Sequence, residues 1–117
     1  MKKELYGELR VIGMKGCEEF VSQVDSYLKE WRGSAPEDTF VVDHECPRFG
    51  TGEAKCVIHE TLRGDDVYII TDCFNYSVTY KMYGMDVPMS PDDHYCDLKR
   101  TIAAIAGKAR RITVIML

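Results

Sequence analysis

The chain has 117 residues and a formal net charge of −4, enough for one domain with a buried core and too little for two lobes. Hydrophobic residues make up 45% and charged residues 29%, a balance that excludes a disordered or fibrous chain. The acidic balance argues against a nonspecific nucleic-acid binder, so no nucleic-acid partner is expected, although Lys108, Arg110 and Arg111 form a local basic cluster fit for a phosphate.

In chain order, residues 9–12 (LRVI) read as a strand. Cys17, Phe20, Val21, Val24, Leu28 and Trp31 then recur at steps of three and four, which predicts a helix burying those residues, with Gly33 as its stop. Residues 39–42 (TFVV) read as a second strand. Residues 56–58 and 67–71 are two further β-rich runs, and the short turn-forming link at 63–66 (RGDD) predicts that they pair antiparallel. Residues 72–89 show no clear period and read as a long loop.

Ser90 as N-cap, Pro91 at the first helical position, and Asp92 and Asp93 beside the positive helix end predict a second helix. Tyr95, Leu98, Ile102 and Ile105 would form its buried stripe and Gly107 its end. Residues 112–116 (ITVIM) are apolar enough for a strand covered on both faces, as in a parallel sheet. Together these elements predict a single α/β domain over 1–117, with a mostly parallel sheet and one antiparallel excursion near residues 54–71. Because ligands of open α/β sheets gather beyond the carboxyl ends of strands, a sequence ending directly after the strand at 112–116 reads as truncated there.

No run approaches the roughly 18 apolar residues of a membrane helix, and MKKELYGELR lacks the apolar stretch of a signal peptide. No membrane partner is expected. Five cysteines, odd in number and without a CxxC pair, read as reduced, mostly buried thiols, and a cytoplasmic location is expected.

Local motifs assign little chemistry. Gly50-Thr51-Gly52 lacks a following GK[ST] and precedes a strand, so it is not a P-loop. His44, His59 and His94 stand far apart without metal-ligand spacing, no Cys–His pair has local support, and Arg63-Gly64-Asp65 reads as a plain turn. No catalytic residue and no metal ligand is assigned.

The stretch FGTGEAKCVIHETLRGDDVYII, followed at a distance by DLKRTIAAIAGKARRITVIM, resembles the N-terminal domain of ribose-phosphate pyrophosphokinases, also called phosphoribosyl pyrophosphate synthetases. The resemblance covers most of residues 48–116, and residues 1–47 agree mainly in strand-helix-strand order. Thr51 departs from the family's usual Asp or Asn, and the segment at 75–89 exceeds the family's shorter connection. The resemblance implies a three-layer phosphoribosyltransferase-like (Rossmann-like) fold. It also implies transfer of the β,γ-diphosphoryl group of ATP to the 1-hydroxyl of ribose 5-phosphate, with magnesium, in nucleotide biosynthesis.

Carried onto this chain, the resemblance makes Phe49, Thr51 and Glu53 the nucleotide contacts, with the ring stacked on adenine and the polar groups bonding its edge. Alternate positions of an extended segment would project them to one side. The alternative is that Phe49 is core, Glu53 is solvated and the glycines make a turn. Thr61 and Arg63 align with positions for a regulatory phosphate, the alternative being a turn arginine paired with Asp65 or Asp66. The basic segment, metal-binding histidine and acidic ribose-phosphate loop of the family are not in this sequence, so the chain alone is expected to be inactive and to hold ATP and Mg weakly or not at all. An apolar terminal strand further predicts a homo-oligomer. Two other functions share these features: a nonenzymatic regulatory relative that assembles with active synthetases, and a small-nucleotide or anion-binding module.

Overall fold

The computed structural model describes residues 7–35 and 37–117. Segment 1–6, part of the stretch read above for a signal peptide, lies outside the described residues. In order, the elements are β1 (Leu9–Gly13), α1 (Glu18–Arg32), β2 (His44–Glu45), β3 (Val57–Ile58), β4 (Asp66–Thr71), β5 (Thr79–Met82), β6 (Met85–Pro88), α2 (Pro91–Ile105) and β7 (Arg111–Met116). The fold is α/β, as the alternating signals predict.

β1, β4 and β7 form a parallel sheet with β4 in the middle. Side chains alternate across it with period two. Val11 and Ile70 point into one core with Cys17 and Val21 of the α1 side. Ile12, Val67 and Ile69 point into the other, which Leu98 and Ile105 of α2 close together with Cys46 and Leu62. The sheet is thus the middle of three layers, and β4 is apolar on both faces because both are covered.

Several predicted elements differ in detail. Residues 39–42 make only a single parallel bridge, Val11 to Val41, because the Phe40 amide and the Thr39 hydroxyl donate to the Asp25 carboxylate of α1, both at 2.8 Å. Asp25 therefore holds the centre of the buried face of α1, whereas Phe20 and Trp31 are exposed. The pairing predicted between 56–58 and 67–71 does not form. β3 pairs antiparallel with β2, and β4 pairs parallel with β1 and β7, since residues 61–65 turn the chain into the sheet rather than back along it.

Segment 72–89 is not a structureless loop. β5 and β6 pair antiparallel from Thr79↔Pro88 to Met82↔Met85, and the turn between them has positive φ at both Tyr83 and Gly84, 51° and 84°. That is the conformation of a two-residue hairpin turn that normally carries Asn-Gly or Asp-Gly. α2 starts as predicted, with Ser90 and Asp93 in a reciprocal capping box, and ends at Ala106 rather than Gly107. Its buried stripe is His94, Asp97, Leu98, Thr101 and Ile105, while Tyr95 and Ile102 are exposed.

Candidate functional site

Residues 43–59 form one antiparallel hairpin, of which β2 and β3 are the base. The rungs continue toward the tip without a bulge. The His59 amide bonds to the Asp43 carbonyl, Lys55 to Pro47 and Phe49 to Glu53, and Arg48 bridges Ala54. Period two again sorts the side chains. Cys46, Cys56 and Ile58 join the α2 core and the Arg48 guanidinium is buried, whereas Asp43, Glu45, Glu53, Lys55 and His59 are exposed.

Phe49, Thr51 and Glu53 lie at the tip, in a closed turn rather than in the extended segment expected. The Phe49 amide donates to the Glu53 carbonyl at 2.7 Å and the Gly52 amide to the Phe49 carbonyl at 2.8 Å. Phe49 and Glu53 thus become directly opposed partners, with Thr51 between them at the tip. All three are exposed, and Phe49 leaves 48% of its surface open, so it is not a core residue.

Arg48 fixes this turn from beneath. Its guanidinium, 3% exposed, donates to the Gly52 carbonyl and to Asp97 Oδ1 of α2, each at 2.7 Å, and lies 5.1 Å from the centre of the Tyr80 ring on β5. Asp93, already in the capping box, is 3.7 Å away. Arg48, Tyr80 and Asp97 are the site residues that sequence reasoning passes over. The available signal is a basic residue next to a turn, and a carboxylate sharing the helical face of Leu98 and Thr101.

Thr61 and Arg63 occupy a second turn, at the other end of the return arm and on the order of 20 Å away by strand rise. The Arg63 amide donates to Thr61 Oγ1 at 3.3 Å, and the turn is joined to the segment before β7 through Gly64 N–H to Lys108 O (2.9 Å) and Arg110 N–H to Asp65 O (2.8 Å). Asp66 is held by Arg111 through two contacts of 2.8 and 3.1 Å. Burial first, and then the charge of Glu8, raises the Asp65 carboxyl above its ordinary value. Among the described residues, Arg63 pairs with neither aspartate, and Lys108 and Arg110 are brought to the same turn. A cleft of about 160 Å³ opens beside it, lined in part by Thr61, Leu62, Ile105 and Lys108. A larger cleft, about 650 Å³, lies elsewhere, beside Arg10, Arg32 and Phe40, and includes none of the five predicted contacts.

Glu60 joins the hairpin base to this second turn. Burial alone would raise its carboxyl, but the Asp43 amide at 2.8 Å and the Arg10 guanidinium at 2.7 Å outweigh it and hold the group below its ordinary 4.5. A depressed carboxylate contributes stability above its unfolded pKa and loses it as pH falls through the folded one. Melting temperatures stepped downward from pH 5 are therefore expected to fall faster for the native chain than for Glu60→Gln. Parallel profiles would show that Glu60 is not held by these partners.

The two turns sit at opposite ends of the parallel sheet. The tip lies by the start of α2, on the side of the carboxyl ends, where ligands of such sheets gather, and the Arg63 turn enters β4 at the amino end. The family model for the N-terminal domain of ribose phosphate pyrophosphokinase matches residues 9–117. The chain belongs to that family. No curated protein matches the sequence at a significant level. The match to the pyrophosphokinase domain takes in both turns and every element from β1 to β7. Among the described residues of this domain no three His, Cys, Asp or Glu side chains converge as for a metal ion, and no helix is long and apolar enough to cross a membrane.

Proposed function

We propose that the chain works as the N-terminal half of a ribose-phosphate pyrophosphokinase with a phosphoribosyltransferase-like fold, and supplies part of the ATP site for diphosphoryl transfer to ribose 5-phosphate. The observation that carries this is the tip of the hairpin. An aromatic ring with nearly half its surface open is held on a turn closed by two backbone bonds and anchored by a buried arginine, at the carboxyl end of a parallel sheet. The backbone that carries the ring is set before binding, which lowers the ordering cost of stacking on a purine, and Thr51 and Glu53 supply a hydroxyl and a carboxylate on the same turn.

Arg63, with Lys108 and Arg110 nearby, takes a separate anion, a regulatory phosphate, since the strand rise puts it too far from the tip to share one nucleotide's phosphates. Magnesium held by this chain is not part of the proposal, because among the described residues no carboxylate cluster supports it. Transfer also needs cationic stabilisation of the moving group and a held acceptor, and the groups gathered at the tip provide contact rather than either of these.

Titration with ATP, followed by amide NMR shifts, is expected to give millimolar affinity centred on residues 49–53, weakened roughly tenfold by Phe49→Ala. A coupled assay with ribose 5-phosphate and magnesium should stay at background. Shifts insensitive to Phe49→Ala would move the nucleotide elsewhere, and turnover that Glu53→Ala abolishes would overturn the assignment of a binding half.

A further inference from the structure

We propose that Cys46 and Cys56 form a thiol–disulfide exchange site, which reacts with low-molecular-weight disulfides and closes reversibly between the two arms of the hairpin at 43–59. The two residues oppose each other in its ladder. Rungs 45–57 and 47–55 on either side are the hydrogen-bonded kind, so the rung between them is the non-hydrogen-bonded kind. Such partners stand about 4.5 Å apart at Cα with their side chains close, inside the span of roughly 4.4–6.8 Å that a disulfide bridges.

Both sulfurs point to the α2 side of the hairpin and meet one oxygen there. The Thr101 hydroxyl lies 3.2 Å from Cys56 Sγ and 3.7 Å from Cys46 Sγ. The two thiols differ in character. A hydrogen bond from Cys46 lowers the Cys56 thiol against burial and the charge of Asp97; Thr101 and Arg100 add to the lowering, and Cys56 comes down to about 7 from an ordinary 9.0. The same bond, followed by burial, pushes Cys46 up. Cys56 is also the more open of the two, whereas Cys46 is buried. The pair therefore has a partly buried attacking sulfur and, beside it, a fully buried and protonated resolving sulfur. Cys17 and Cys73 are both buried, and burial pushes the Cys17 thiol up.

The chemistry balances without a metal or cofactor. Cys56 thiolate attacks one sulfur of RSSR, forming the Cys56–S–SR bond and breaking the S–S bond to release RS⁻. Cys46 gives up its proton to solvent, and its sulfur attacks Cys56 Sγ, forming the internal disulfide and releasing the second RS⁻. The chain loses two electrons and RSSR gains them, leaving two RSH. This inference does not depend on what residues 49–53 bind.

The full chain treated with glutathione disulfide at neutral pH, quenched with acid and mapped by mass spectrometry without reduction tests it. A Cys46–Cys56 link is expected, reversed by dithiothreitol, with a rise in melting temperature of roughly 10 °C from closing a short loop. At early times glutathione should be found on Cys56 before any other cysteine, and Cys46→Ala should trap it there. The early-time measurement uses the native chain, so it decides the matter even if the variant does not fold. First modification at Cys96, or a Cys56 that reacts only above the unfolding transition, overturns the proposal.

Discussion

Replacing Arg48 by alanine is expected to lower the unfolding free energy by about 3–5 kcal/mol, measured by urea denaturation. The guanidinium lies between the Asp97 carboxylate, 2% exposed, and the Gly52 carbonyl. Among the described residues, its removal leaves the buried carboxylate facing only the half-exposed Arg100 at 3.3 Å. The pair is nevertheless not a large net stabiliser, because Arg48 Nε and Asp97 Oδ2 have no hydrogen-bond partner among the described residues. Taking two charges out of water while leaving one donor and one acceptor unsatisfied offsets most of their attraction. The double variant Arg48→Met, Asp97→Leu should accordingly recover most of the stability lost by Arg48→Ala. It should not recover the order of the 49–53 turn, which depends on the bond to Gly52. A loss below about 1 kcal/mol in the single variant would mean that the pair is solvated in solution.

Gly7→Ala is the second large effect, expected to cost at least about 2 kcal/mol. Gly7 has φ +88°, and a Cβ built there would stand 1.8 Å from the Gly64 carbonyl oxygen and 2.9 Å from its carbon. These are backbone atoms, so no rotamer change relieves the contact. The 61–65 turn would have to move and release the bond from Gly64 N–H to Lys108 O. Gly64→Ala is the control, since φ there is +77° but nothing lies within 4 Å of the added carbon, leaving a conformational cost near 1 kcal/mol. Amide exchange at Gly64 should quicken in the Gly7 variant. Equal losses in the two variants would show that the close approach is not what matters.

The sequence makes the layers legible and the pairings much less so. The run VYII is apolar at consecutive positions, which in a small α/β chain requires cover on both faces, and β4 has it, whereas ITVIM, expected to be covered in the same way, forms the edge strand β7 with Ile115 and Met116 exposed. The partner of residues 56–58 was not readable, because the rule joining neighbouring runs by a short link assumes that the link reverses the chain. Here Gly64 and Asp65 bond to the segment before β7, and the chain continues into a parallel strand. The hairpin at 79–88 escaped because Tyr83 occupies a position where a turn signal would be Asn or Asp.

At the candidate site, periodicity placed α2 correctly and its face in part, since Leu98 and Ile105 are buried as expected while Tyr95 and Ile102 are not. Apolar spacing favoured Tyr95 and Ile102, yet the helix turns Asp97 and Thr101 inward, where Arg48 and the cysteine sulfurs give them partners. A pattern built on hydrophobic residues has no way to rank a buried carboxylate whose partner stands 49 residues away. Phe49, Thr51 and Glu53 entered through resemblance alone, and the turn that joins them is invisible to spacing rules, since its two closing bonds are between backbone groups.

The unbroken rungs of the hairpin at 43–59 limit how its length can change. One residue added to the return arm would exchange its inner and outer side chains, sending Cys56 and Ile58 toward water and bringing Lys55 and Glu53 against α2. Residues added between Phe49 and Glu53 would leave every rung below them in register. The arms are fixed in length by the core, while the tip is free to lengthen, so insertions there can reshape what the turn holds without disturbing the layers beneath it.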